Sequence, residues 1–164
     1  MNALLFRFRG ELLAIWGLGA LVLGWPPRGF LPSFALLVAG LALRAWARRH
    51  IGPHSRGRLL ACPERSVAGP YGYVSHPLYL ANLMVAASLS LCLAGPTPKA
   101  LLLLLGPFLL YALLARAETA FVKRIGSPER TMPHDRSTGG WRSEWASFAP
   151  PVCAWMALQF LALR

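Results

Sequence analysis

The sequence predicts an all-α fold: a polytopic membrane helix bundle with four transmembrane helices plus a short C-terminal hydrophobic helix. Three observations lead there. The chain is 55% hydrophobic and 14% charged over 164 residues, with a mean hydropathy of +0.46. An average soluble domain is about 25% charged, and a soluble fold of this length could not hide so much apolar surface. The apolar residues come in blocks separated by basic, Pro/Gly-rich segments, which is how membrane-spanning chains read. The charges are distributed unevenly between those segments. Residues 1–164 are read as one membrane domain.

The blocks follow in order. The first runs from roughly Glu11 to Trp25, the second from Phe30 to Trp46, the third from His76 to Ala94 and the fourth from Lys99 to Ala117. A spanning helix needs about 20 apolar residues, with about 17 at the low end. The second, third and fourth blocks reach this. The first does so only if it starts near Ala3 and carries Arg7, Arg9 and Glu11, of which Arg7 and Glu11 can pair on one helix face. Its end, Trp25-Pro26-Pro27-Arg28, lacks the small-residue pattern of a cleaved signal peptide, so it is read as a retained helix. A fifth block, Pro150 to Leu163, has 14 residues. It is short for a span and suits an interfacial or partial helix.

Pro26-Pro27-Arg28-Gly29 and Gly95-Pro96-Thr97-Pro98-Lys99 read as tight turns between antiparallel helices. Two longer segments, about 47–75 and 118–149, remain. Alternate sides of such a bundle carry fourteen Lys/Arg against two, with Arg164 unassigned. The positive-inside rule then puts the N-terminus and both long segments in the cytoplasm. The net charge of +11 is accounted for as topology signal and lipid-headgroup contact, which disfavours nucleic acid as a partner. Cys62, Cys92 and Cys153 are far apart and form neither a disulfide framework nor a zinc pattern.

This topology gathers the unusual polar residues on one side. In Gly69-Pro70-Tyr71-Gly72-Tyr73-Val74-Ser75-His76-Pro77-Leu78-Tyr79, the glycines and Pro70 make a turn, and His76-Pro77 begins the third helix. The entry of that helix offers backbone N–H groups to an anion. His76 and Tyr79, three apart, share a face. A polar-aromatic collar at the membrane interface is an equal reading of the same residues. Glu118 ends the fourth block, and a carboxylate so close to hydrocarbon needs a partner. An antiparallel third and fourth helix bring His76, Tyr79 and Glu118 together. No nucleotide loop, HExxH, GxSxG or useful carboxylate pair is present. Chemistry supplied by a cofactor fits better than hydrolysis.

These stretches resemble the isoprenylcysteine carboxyl methyltransferase and phospholipid methyltransferase superfamily, small membrane enzymes that use S-adenosylmethionine. Its signature is Gly-Pro-Tyr-x-Tyr-x-Arg-His-Pro-x-Tyr, then a helical hairpin, then Glu-Glu-x-x-Leu-x-x-x-Phe-Gly. Gly69 to Tyr79 follows the first part and Ala117-Glu118-Thr119-Ala120-Phe121-Val122-Lys123-Arg124-Ile125-Gly126 the second. The likeness covers about a third of the chain. Ser75 replaces the Arg, Ala117 replaces the first Glu, and Ser127-Pro128-Glu129-Arg130 stands where a Tyr-rich stretch is usual. The resemblance implies an S-adenosylmethionine site of Tyr71, Tyr73, Ser75, His76, Pro77 and Tyr79, with Glu118 at the amino or sulfonium end. It implies methyl transfer to a lipophilic or lipid acceptor. Arg136 and Arg142 are candidates to orient an anionic acceptor, and headgroup contact is an equal reading of both. Tyr73-Val74-Ser75-His76-Pro77-Leu78-Tyr79 is also similar to the Tyr-Val-Ser-x-Pro-x-Tyr of steroid 5-alpha and polyprenol reductases. Those enzymes use NADPH and carry Glu where Asn82 stands here. A non-enzymatic membrane scaffold is the third reading.

Overall fold

The computed structural model describes residues 7–24, 26–51, 65–126, 129–130 and 142–164; for residues 10, 24, 51, 65–66, 125, 129–130 and 142–147 it describes the backbone alone. Among the described residues the fold has five α-helices: α1 (Arg9–Gly24), α2 (Ser33–Ile51), α3 (Pro77–Ala94), α4 (Pro98–Ile125) and α5 (Arg142–Ala162). A 3₁₀ turn spans Gly69–Gly72. One two-residue parallel pairing, β1 (Arg65–Ser66) with β2 (Glu129–Arg130), departs from an all-α architecture. It ties together the two long segments that the charge pattern placed on one side.

Two of the four expected spans meet the requirements of length and composition among the described residues. Pro77–Ala94 and Pro98–Arg124 are long and apolar enough to cross a membrane. Helix α1 has 16 residues and an apolar stretch, Glu11–Leu23, shorter than a span. Helix α2 has 19 residues but carries Arg44, Arg48 and Arg49. It continues five residues past the predicted end at Trp46. Helix α4 runs eight residues beyond Ala117, so Glu118 lies within a helix and not at its end. Helix α5 is longer than its apolar stretch, with Pro150 and Pro151 inside it.

Helix α3 sits at the centre and touches α1, α2, α4 and α5. Apart from Pro77 and Leu93, its buried residues are small: Ala81, Ala86, Ser88, Ser90, Cys92 and Ala94. Small residues let backbones approach closely, as they do between helices packed in lipid. Gly40 of α2 shows how close that approach is. A Cβ there would meet the Ala81 carbonyl at 3.0 Å and Met84 Cβ at 3.0 Å.

The apolar core lies at one end of the bundle, around Leu37, Cys92, Leu93, Leu103, Trp155 and Leu158. Both short turns close this end. The amides of Arg28 and Gly29 donate to the carbonyls of Leu93 and Cys92 at 3.2 and 3.1 Å. Ser33 joins three helices: Ser88 Oγ donates to its carbonyl at 2.7 Å and Trp155 Nε1 to its hydroxyl at 2.8 Å.

Pro107 interrupts the hydrogen-bond ladder of α4, because it has no N–H for the Leu103 carbonyl. Trp16 of α1 supplies the missing donor: its Nε1 lies 2.8 Å from that oxygen. Gly106 makes room, since a Cβ there would stand 2.8 Å from the indole. Trp16→Phe keeps the ring but leaves the carbonyl without this donor. It is expected to destabilise the protein by about 1–3 kcal/mol, read as a lowered midpoint in thermal unfolding of the detergent-solubilised chain.

Candidate functional site

The other end of the bundle collects the polar residues, because the start of α1, the end of α2, the start of α3 and the end of α4 all meet there. The loop entering α3 is held by sequence-specific contacts. Gly69 has φ +60°, the left-handed region that favours glycine. A Cβ on it would lie 2.6 Å from the His50 imidazole. His50, near the end of α2, is itself fixed by Nδ1 against the Trp46 carbonyl at 2.9 Å. Pro70 is buried, and the turn packs on α2.

Pro77 opens α3 and His76 is its N-cap, without a side-chain capping bond. The amides of Tyr79 and Leu80 both donate to the His76 carbonyl, at 3.1 and 3.2 Å. Leu80 makes the ordinary first helical bond, and of the donors expected to greet an anion the Tyr79 amide is engaged already. What the entry does present is the His76 ring, and both of its nitrogens are occupied by α4. Nδ1 lies 3.4 Å from Glu118 Oε2, and Nε2 lies 2.9 Å from Thr119 Oγ1. The Tyr79 hydroxyl donates to the same Glu118 carboxylate. The His76 and Tyr79 rings are stacked, with centroids 5.4 Å apart. The expected meeting of His76, Tyr79 and Glu118 across the α3–α4 hairpin is thus present in the structure.

The cluster runs deeper than the motif. Tyr79 contacts Tyr111 of α4 at 5.4 Å between centroids. Tyr111 hydrogen-bonds Asn82, and Asn82 Oδ1 accepts from Arg44 Nη1 of α2. The charge of Arg9 on α1 also reaches Glu118, Tyr79 and Tyr111. A polar track thus passes from His76 through Glu118, Tyr79, Tyr111 and Asn82 to Arg44. At 1.5 Å per residue, Asn82 stands about 8 Å below the start of α3.

Motif reading missed Arg9, Arg44, Asn82, Tyr111 and Thr119. The charge pattern counts Arg44 among the basic residues read as topology signal and headgroup contact, whereas its guanidinium reaches Asn82 of α3. The available signal was general: a polar or charged residue within an apolar block faces the bundle interior and carries a role there.

The remaining candidates lie elsewhere. Tyr73 is 86% exposed and does not join the cluster. Tyr71 is half-buried on the turn, and Pro77 is buried beneath it. Ser75 is exposed and lines an open groove of about 460 Å³ with His76, Arg116, Thr119, Ala120 and Lys123. Arg136 lies outside the described residues, and so does the side chain of Arg142, the second residue expected to orient an acceptor.

The arrangement offers a carboxylate held by an imidazole and a phenol, an aromatic wall, and a lateral opening beside them. A cationic group bearing its own hydrogen-bond donors suits the carboxylate and the aromatic faces together. No family model, characterised protein or solved structure matches this chain.

Proposed function

We propose that the protein is a membrane-embedded methyltransferase that uses S-adenosylmethionine and acts on a lipophilic acceptor. The observation that carries this reading is the convergence of His76, Tyr79 and Glu118 from opposite ends of the α3–α4 hairpin. Their types and order are those of the resemblance, and their meeting is a separate, geometric fact. In this reading α1, α2, α3 and α4 cross the bilayer, and the polar end faces the cytoplasm. The exposed Leu18, Val22, Leu101, Leu102 and Phe108 support lipid around the bundle, since a water-facing surface of this kind would associate.

When bound, the cofactor supplies an electrophilic methyl group on a sulfonium centre. The chain's own residues do the rest. Glu118 holds the cationic amino end, and His76 and Tyr79 keep that carboxylate oriented. The stacked rings of His76 and Tyr79 form one wall and favour a cation lying against them. The groove at Ser75 and Thr119 admits the acceptor from the side. Catalysis then rests on alignment and exclusion of water, which a site between packed helices provides.

Isothermal titration of the purified full chain with S-adenosylhomocysteine and, separately, with NADPH tests this. Saturable binding of S-adenosylhomocysteine with none of NADPH is the expected result. Binding of NADPH alone overturns it in favour of a reductase. Binding of neither, with His76 and Glu118 both tolerant of alanine in a functional assay in the native membrane, leaves the scaffold reading.

A further inference from the structure

One face of α4 outside the polar track has a composition that suits an amphiphile. Arg116, Thr119, Ala120 and Lys123 stand at i, i+3, i+4 and i+7, so they form one stripe along the helix. Two cations and a hydroxyl therefore face the groove, and among the described residues no acidic side chain lines it. Glu118 is one residue away, but it is turned inward to His76 and Tyr79. His76 closes the groove floor through its bond to Thr119.

Below Arg116 the same stripe continues as leucines. Leu113, Leu109 and Leu105 follow at the same helical spacing and are 51%, 51% and 48% exposed. From Leu105 to Arg116 this apolar rail measures about 16 Å along the axis. The surface thus joins a cationic, hydrogen-bonding head to a long apolar track, in the orientation that a membrane lipid has.

We infer that this stripe is a specific seat for an anionic membrane phospholipid. Its phosphate is held between Arg116 and Lys123 with Thr119 beside it, and one acyl chain lies along Leu113, Leu109 and Leu105. The charge of the groove selects a lipid with net negative charge over a zwitterionic one. The seat opens onto His76, so the lipid that fills it borders the proposed active site. The inference rests on the membrane placement of α4 and not on methyl transfer.

The test is native mass spectrometry of the full chain in mild detergent with dioleoyl phosphatidylglycerol or dioleoyl phosphatidylcholine. Preferential retention of phosphatidylglycerol is expected in the parent protein. The variant Arg116→Gln/Lys123→Gln should lose about thirtyfold of that preference, from about one decade or somewhat less per interfacial cation. Arg124→Gln, which removes a neighbouring cation that does not line the groove, should leave it unchanged. Lys123→Gln alone, at an exposed position, should show part of the loss if the double variant does not fold.

Equal retention of both lipids by the parent, or an equal loss in Arg124→Gln, overturns the inference in favour of diffuse surface attraction. Titrating each variant with S-adenosylhomocysteine separates the two readings. A lost lipid preference with cofactor binding intact assigns the groove to lipid. A parent that binds no cofactor but prefers phosphatidylglycerol refutes methyl transfer and leaves the lipid seat standing.

Discussion

Glu118→Gln is expected to weaken S-adenosylhomocysteine binding by roughly 10- to 150-fold, with little change in the folded structure. The glutamine has the shape of the carboxylate and can still accept from Tyr79. What it loses is the negative charge that a cationic amino group would meet. A hydrogen bond to a charged group contributes about 1.5–3 kcal/mol, and about 1.4 kcal/mol is tenfold in affinity. Calorimetric titration of the parent and the variant measures it. The paired control is Thr119→Val, which removes the hydroxyl at 2.9 Å from His76 and leaves the carboxylate. A fall of less than about threefold in Glu118→Gln would mean that the carboxylate serves packing of the hairpin and not a cation.

The second large effect belongs to the deep end of the polar track. Asn82→Leu removes an acceptor that Arg44 uses from α3 and so loses one hydrogen bond of a charged group. Loss of a hydrogen bond to a charged group costs about 1.5–3 kcal/mol, and the loss should appear as a fall in thermal midpoint. Arg44→Met alone removes the cation and should cost less. The double variant Arg44→Met/Asn82→Leu should recover most of the stability lost in Asn82→Leu, because neither charge nor partner remains. Costs that simply add would show that Arg44 and Asn82 do not depend on each other. The same series reports on function: if the track positions Tyr79 through Tyr111, the double variant folds but binds cofactor less well than the parent.

The order of helices was legible because hydropathy is a property of blocks. Each long apolar run became a helix, and the prolines and glycines at 26–29 and 95–96 became the turns. Boundaries were less legible. Apolar runs end where charges begin, but a helix ends where its hydrogen bonds do. Arg48 and Arg49 therefore continue α2, and Lys123 and Arg124 continue α4. That difference moved Glu118 from a helix end to a helix interior, two turns from the cap at Gly126.

By itself the sequence determined an all-α, strongly apolar chain, the antiparallel hairpin of α3 and α4, and the meeting of His76, Tyr79 and Glu118. These follow from local rules: proline at a helix start, short turns between long apolar runs, and a three-residue spacing on one face. Only the tertiary structure decided the rest. It turned Arg44 inward to Asn82, brought Arg9 within reach of Glu118, exposed Tyr73, and gave the Leu103 carbonyl to Trp16. The contacts of Arg44, Arg9 and Trp16 depend on the rotation of one helix about its axis relative to another. Small side chains such as Gly40 and Ala81 set that rotation by contacts between residues far apart in sequence, which no periodicity within a single helix encodes.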